Sequence, residues 1–479
     1  VREAIERFLA ICTSNLISLI GTAVTTASAF LFTLLVLIHV VGEQEGGPYA
    51  GILTFLILPG LFLLGLLLIP LGLYRERQRR RKAIEEGKAE GPRFAILDFN
   101  RRSTRKAVLV FVVATGINAL ILGVGTYKGV EVMESTAFCG AACHTVMEPE
   151  YTTYQRSPHA KVKCVECHIG AGADWFVKSK LSGSWQVVSV TFDLYPRPIE
   201  TPVHSLRPAR ETCEECHWPQ KFVGDLFKVN THFEEDEANT EVKTVLVLKV
   251  GGQQRGRSHG IHWHVDPDHV VRYRADEKRQ TMYEVEMTDA QGETTVWTGP
   301  EADSPEAQAA PWRTMDCIDC HNRPSHIYRL PAQELDTALY DRRIDPTLPF
   351  IRREAEKALD VDYASHEDAR AGIAKTIATF YETEYPDLAR DRAEVVAAAG
   401  KAVGDIYAWN VFPDMNVAWG TYPNHIGHPD FSTEIGCFRC HGGEHETPDG
   451  DTISMDCTTC HSLLAEREEN PEILETLTD

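Results

Sequence analysis

Positive charge is in short supply in this 479-residue chain: 48 Lys and Arg against 69 Asp and Glu leave a formal net charge of −21. That balance argues against nucleic acid as a partner; it suits docking to proteins that present basic patches, and equally suits charge used for solubility alone. The deficit is uneven. Residues 1–129 hold 15 Lys and Arg against 9 Asp and Glu, so the rest of the chain carries 33 against 60. A basic N-terminal part therefore precedes a strongly acidic one.

Charge is missing from three stretches, 16–41, 49–74 and 107–127, each apolar and long enough to cross a hydrocarbon core as a helix. Reading them as buried core helices would require a large soluble domain around them, and none is available. Histidine is nearly missing too. His39 is the only one in the three stretches, which excludes a b-type haem held between two histidines inside the membrane. His39 lies near the outer end of its helix and reads as interfacial, with quinol contact as the functional alternative. Pro59 and Pro70 are expected to kink or end the second helix. The first stretch is too long for a cleavable signal and is followed by further spans rather than by a small-residue cleavage site. The loop 75–106 holds twelve Lys and Arg, whereas 42–48 holds none. By the positive-inside rule the basic loop is cytoplasmic and everything after Lys128 lies on the outer face.

What the acidic part has in abundance is one signature. It reads Cys164-Val-Glu-Cys167-His168, Cys213-Glu-Glu-Cys216-His217, Cys317-Ile-Asp-Cys320-His321, Cys437-Phe-Arg-Cys440-His441 and Cys457-Thr-Thr-Cys460-His461, after a looser first copy, Cys139-Gly-Ala-Ala-Cys143-His144. The chemistry of c-type haem attachment explains the spacing: two thiols add to the two vinyl groups of one haem while the next residue ligates its iron. Chance would give about 0.01 strict copies in a chain of this composition, against five observed. Disulfides or paired zinc sites would leave the invariably placed His without a role. Attachment of this kind is completed outside the cytoplasm, in agreement with the topology read from charge. Of thirteen cysteines, only Cys12 is left over; in its apolar segment it reads as a small core residue.

These readings divide the chain into a transmembrane anchor with a cytoplasmic basic loop (1–129), a first haem domain with three motifs (130–230), a β-rich insertion (231–310) and a C-terminal haem domain with three more (311–479). The expected fold is a membrane α-helical anchor of three transmembrane helices plus a loop-rich, mainly α multihaem cytochrome c domain with a small β insertion. Residues 244–250, 270–274, 283–287 and 294–297 read as strands, with Asp289-Ala-Gln-Gly292 as a hairpin turn. Residues 332–410 read as helical, with Ser365 as an N-cap.

Twelve histidines outside the motifs and spans are available as second iron ligands. His159, His326 and His445 lie just before or after a motif; His204, His262, His425 and His428 come next. In Gly260-Ile-His262-Trp-His264 the two histidines share a face if the segment is a strand, so one of them is expected to ligate. Met147, three residues after the first motif, can replace His144, sit opposite it, or be an ordinary core residue. Bis-His ligation favours low potentials and electron transfer over oxygen binding.

With these residues assembled, the chain resembles the NapC/NirT family of membrane-anchored multihaem quinol dehydrogenases. The likeness runs from Phe138-Cys-Gly-Ala-Ala-Cys-His144 through Tyr154-Gln-Arg-Ser-Pro-His159 and Cys164-Val-Glu-Cys-His168 into Leu206-Arg-Pro-Ala-Arg-Glu-Thr-Cys-Glu-Glu-Cys-His217. Blocks such as Cys320-His-Asn-Arg-Pro-Ser-His326, Tyr422-Pro-Asn-His-Ile-Gly-His428 and Gly436-Cys-Phe-Arg-Cys-His441 are similar to larger members found as inner-membrane cytochromes of metal-reducing bacteria. The common family plan has one anchoring helix and four haems; this chain has three apolar stretches and six motifs. The resemblance implies oxidation of quinol, in the first place menaquinol, on the outer side of the inner membrane, with electrons passed to a periplasmic c-type cytochrome or reductase. It implies that Lys178 or Lys180 hydrogen-bonds a quinol oxygen and that a nearby acid, Glu148, Glu150 or Asp193, takes a proton. Gln186 and Val187 stand where small members carry the acid. Two other readings stay open: an electron-transfer subunit whose quinol chemistry lies on a membrane partner, and a terminal reductase with one open-coordinated haem.

Six motifs predict six covalent haems. Intact-mass measurement of the purified chain should find six; five would implicate the irregular pair Cys139 and Cys143, and four or fewer would sink the reading.

Overall fold

The computed structural model describes residues 15–41, 57–86, 99–102, 105–106, 109, 120, 123–125, 127–141, 144–169, 173–203, 208–218, 222–254, 257–428 and 435–478. Two compact units divide between His144 and Thr145.

In the first unit, helices α1 (Leu16–Val41) and α2 (Leu58–Glu85) are both long and apolar enough to cross a membrane. Small residues let them approach closely, the usual solution where no water drives association. A Cβ on Gly21 would lie 2.8 Å from the Gly65 carbonyl oxygen, and Ser18 Oγ donates to the Ile69 carbonyl at 3.0 Å. Pro70 does not end the second helix, as its sequence suggests; it sits inside α2, which runs on through the arginine cluster to Glu85. Pro59 occupies the first turn, where a missing N–H costs nothing. Most of the third apolar stretch, 107–127, lies outside the described residues.

The second unit begins with α3 (His144–Gln155), whose first residue belongs to the first unit, and continues with α4 (Ala173–Thr191). Strands β1 (Leu226–Phe233), β2 (Glu241–Leu248), β3 (Gly252–Gln254), β4 (Arg257–His259), β5 (Val270–Ala275), β6 (Met282–Thr288), β7 (Thr294–Thr298) and β8 (Arg313–Thr314) follow. Then come α5 (Pro331–Tyr340), α6 (Ile351–Leu359), α7 (His366–Glu384), α8 (Ala393–Asn410) and finally β9 (His461–Glu468). The strands form an antiparallel sheet β1-β2-β9, the hairpin β3-β4, and an antiparallel sheet β7-β6-β5-β8. The β-rich segment is therefore not self-contained. Strand β9, starting at the histidine of the last motif, pairs with β2, and Thr298 bridges Glu446. Residues 231–310 are tied at both ends into the C-terminal region.

Helices α5–α8 hold the driest core of the unit. Leu335, Leu348, Ile351, Leu359, Ile373, Ile377 and Ile406 are fully buried there, and Phe233 of β1 joins them. Ser365 caps α7, accepting from the Asp368 N–H at 3.1 Å. Buried Asn239 ties the sheet to this bundle: its side chain donates to the carbonyls of Pro346 (2.9 Å) and Leu348 (2.8 Å) and accepts from Arg352 N–H (2.9 Å). The bundle carries no motif of its own and holds the framework on which the motif loops hang.

Truncating Ile373 to Ala leaves a cavity in this core and is expected to cost about 2–5 kcal/mol. Thermal unfolding of the detergent-solubilised chain should move to lower temperature, whereas an unchanged transition would place the structural core elsewhere.

Candidate haem sites

Each strict motif forms one tight helical turn. His217, His321 and His441 donate their backbone N–H to the carbonyls of Cys213 (2.8 Å), Cys317 (2.8 Å) and Cys437 (3.0 Å). A turn of this pitch sets cysteines three apart on one side and projects the next residue past them. The turns are capped locally where the sequence allows. Asp316 and Asp319 make a reciprocal capping box on the fourth, and Asp456 accepts from Thr458 N–H on the last. In the first copy Cys139 lies in the helix Thr136–Ala141; Cys143 and the side chain of His144 lie outside the described residues.

A second imidazole stands opposite the histidine of every strict motif. Ring centroids are 6.2 Å apart for His168 and His326, 6.0 Å for His217 and His159, 6.4 Å for His321 and His262, 5.9 Å for His441 and His264, and 6.2 Å for His461 and His428. Two imidazoles sharing one metal, each through a bond of roughly 2 Å, have centroids about 6 Å apart. Direct ring contact would bring them closer. The remaining ring nitrogen is occupied in the way metal-binding histidines require. Nδ1 of His326 donates to the Glu150 carbonyl (2.9 Å), that of His159 to Pro324 (3.0 Å), that of His262 to Val250 (3.1 Å) and that of His264 to Ile261 (2.8 Å). Nε2 is thereby left for the space between the rings. Burial holds the pKa of His168, His262, His264, His321 and His428 below the ordinary histidine value, which favours the neutral, ligating form. Paired thiols beside paired imidazoles fit haem c.

Several candidate ligands fall elsewhere. His425 is buried with both nitrogens engaged: Nδ1 donates to the Asp319 carbonyl at 3.3 Å and Nε2 accepts from the Gln280 amide at 2.8 Å. Burial and the nearby Arg439 cation push its pKa down to about 4. His445 is likewise buried, with Nε2 donating to the Met282 carbonyl at 3.0 Å. Neither pairs with a motif histidine among the described residues. His204 lies outside the described residues, and Met147 is half-buried on α3.

Of His262 and His264 one was expected to ligate if the segment were a strand; in the structure each faces a motif histidine. Residues 261–265 form a 3₁₀ turn, not a strand. At three residues per turn, positions two apart diverge instead of sharing a face. His262 and His264 consequently face the histidines of different motifs, the fourth and the fifth. Gly260, with φ of 80°, permits the sharp entry to this turn.

The candidate quinol-binding side chains scatter in environment. Lys178 is exposed on α4, and the side chain of Lys180 lies outside the described residues. Asp193 is exposed and bonded to Arg197 at 2.6 Å, which holds its carboxyl below the usual range. Glu148 lies 3.8 Å from His366 Nδ1. Glu150 is more enclosed: one carboxylate oxygen lies 3.1 Å from His326 Nδ1, the other 3.7 Å from Arg323.

Comparison with known proteins places this arrangement. The N-terminal region of the NapC/NirT cytochrome c family matches residues 101–198. The cytochrome c-type protein ImcH of Geobacter sulfurreducens is 42% identical over 459 residues, 95% of this chain and 89% of that protein. The chain belongs to the NapC/NirT cytochrome c family. Cytochrome c-type protein NrfH of Wolinella succinogenes is 29% identical over 114 residues, 23% of this chain and 63% of that protein. No solved structure matches the chain. As a member of this family the chain is a membrane-anchored multihaem c-type cytochrome of electron transport, with haem c bound covalently.

If His264 faces the iron of the fifth site, His264→Ala should leave haem content by intact mass unchanged while one haem turns high-spin in optical and EPR spectra. An entirely low-spin spectrum in that variant would remove His264 from the ligand set.

Proposed function

We propose that the chain oxidises quinol, in the first place menaquinol, at the outer face of the bacterial inner membrane and delivers electrons to a soluble periplasmic c-type cytochrome or reductase. On this reading all six motifs carry haem, five of them between the facing histidine pairs. Haem c supplies the one-electron redox chemistry; the polypeptide must hold quinol, remove its protons and keep the site at the bilayer.

The observation that carries the reading is the outer surface of α4. Leu181 (69% exposed), Trp185 (62%), Val188 (40%) and Phe192 (69%) recur at intervals of four, three and four residues, one continuous helical stripe left open to solvent. Such a stripe with an aromatic member suits the interfacial zone of a bilayer. Lys178 lies one turn before Leu181 at the stripe's margin, where an ammonium can meet a quinol oxygen held among lipid tails. Position 180 falls about 200° further round the helix from Lys178, so Lys178 is the better placed of the two. Oxidation of quinol releases two protons as two electrons leave. Glu148 and Glu150, on α3 beyond the first motif, are suited to accept them. Asp193 is a weaker acceptor because Arg197 already stabilises its charge. The outward orientation rests on the twelve Lys and Arg of 75–106.

Replacing Lys178 and Lys180 by Met keeps side-chain length while removing donor and charge. The double variant should keep its haems and its reducibility by dithionite yet lose at least ten-fold in the rate of haem reduction by menaquinol, with Lys178→Met alone giving most of the loss. Unchanged quinol kinetics would move quinol chemistry to a partner subunit.

A further inference from the structure

The two variable residues inside each attachment motif are usually free to be anything, but in the fourth and fifth motifs they interlock. Arg439, between Cys437 and Cys440, sends its guanidinium to main-chain carbonyls alone: Nε to Gly436 at 3.0 Å, one terminal nitrogen to Asp319 at 2.7 Å and the other to Arg279. Asp319 is itself the residue before Cys320 in the fourth motif.

The charges around this contact do not balance. The Asp319 carboxylate, with only 4% of its side chain exposed, lies 3.3 Å from Arg279 and 3.3 Å from Arg313, and also accepts from the Tyr273 hydroxyl and from the Asp316 N–H at 2.8 Å. Asp316 lies 3.5 Å from the same Arg313. Two carboxylates are thus matched by two guanidiniums. Among the described residues no carboxylate stands within ion-pair distance of Arg439. Two further titratable groups touch the cluster and add no compensating negative charge: Tyr273 stays protonated because burial raises its pKa, and His425 is hydrogen-bonded at both nitrogens. The carbonyl dipoles satisfy the donors of Arg439 without cancelling its unit charge.

We propose that Arg439 is a potential-setting residue, whose surplus positive charge raises the reduction potentials of the haems bound at the fourth and fifth motifs. The proposal rests on haem attachment at those two motifs. Reduction adds one electron to a site, so a fixed cation beside it stabilises the reduced form more than the oxidised one. Arg439 is half-buried, so salt screens that effect less than it would at a fully exposed position. Asp319 acts on the same sites in the opposite sense. Its two arginines reduce but do not abolish its influence, because one of them, Arg313, is shared with Asp316.

The test is a potentiometric titration of the full detergent-solubilised chain, with intact mass recorded for every variant. Arg439→Gln should retain all haems and shift one or two of the one-electron steps to lower potential. Arg439→Lys, which keeps the charge, should leave those steps near the wild-type values. Asp319→Asn should shift them the other way. Opposite shifts from the two neutralising variants are something a merely structural role would not produce. Titration curves for Arg439→Gln and Asp319→Asn that superimpose on wild type, with haem content complete, would overturn the proposal while leaving haem attachment intact. Absence of haem from the fourth or fifth motif in the wild-type chain would overturn both. Should Arg439→Gln fail to mature, the direction of the shift in Asp319→Asn decides alone: a fall in potential rejects the electrostatic account.

Discussion

The second unit is organised around one geometric requirement: an imidazole must stand about 6 Å, centroid to centroid, from the imidazole of each strict attachment motif. A motif delivers its own histidine by local covalent logic, since a single turn of chain fixes two thiols and the residue after them. The opposing histidine has to be carried in from elsewhere and aimed. In four of the five pairs that aim comes from a backbone carbonyl that accepts the Nδ1 proton and turns Nε2 inward. Two of these carbonyls, Glu150 and Pro324, lie more than 160 residues from the histidines they orient, so the loops around the second and third motifs cannot rearrange independently. Pro324, which orients His159 opposite the third motif, is two residues from His326, which stands opposite the second. One short loop thereby spaces two neighbouring sites.

The same economy recurs further along the chain. The 3₁₀ turn 261–265 presents His262 to the fourth motif and His264 to the fifth. Phe438 of the fifth motif stacks on His428, the partner of the sixth, with centroids 4.6 Å apart. Consecutive motifs therefore share the elements that complete them. A structure built in this way needs little regular secondary structure around its sites, provided its ends are fixed. The haem-free bundle α5–α8 and the sheet β1-β2-β9 do the fixing: Asn239 links them on one side, and β9 returns the last motif to β2 on the other.

What could be read from the sequence follows from how local each determinant is. The motifs were legible because their chemistry lies within five residues, and the α7 boundary because Ser365 caps it through a contact three residues away. The first two apolar stretches were legible from composition, and of the two outcomes open for Pro70, a kink or an end, the end does not occur; a proline inside a long helix costs one hydrogen bond there, and the neighbouring helix and apolar surroundings can hold the rest in place. Strand β9 could not be foreseen, since its pattern acquires meaning only by pairing with β2 more than 200 residues earlier. His425 and His445 looked as good as His428 on spacing alone. Nothing in their neighbourhood signals that Gln280, Asp319 and Met282, all remote in sequence, would take up their nitrogens. The choice of one histidine from His262 and His264 depended on the segment being a strand: two residues apart means the same face in a strand and different faces in the 3₁₀ turn found there.

Charge acts at two scales in this molecule, and they should be kept apart. The broad acidity of the chain beyond the anchor is a surface property, screened within about a Debye length, and bears on which soluble partners approach. Inside the unit the sign is locally reversed: at the contact between the fourth and fifth motifs three guanidiniums meet two carboxylates. A polypeptide that only needed solubility would have no reason to draw Arg439 partly out of water there, because desolvating a guanidinium is costly unless its donors are satisfied. Here they are satisfied, by carbonyls that leave the charge standing. The acidic exterior bears on long-range approach and the local excess of guanidiniums acts only on its immediate surroundings, so neither setting constrains the other.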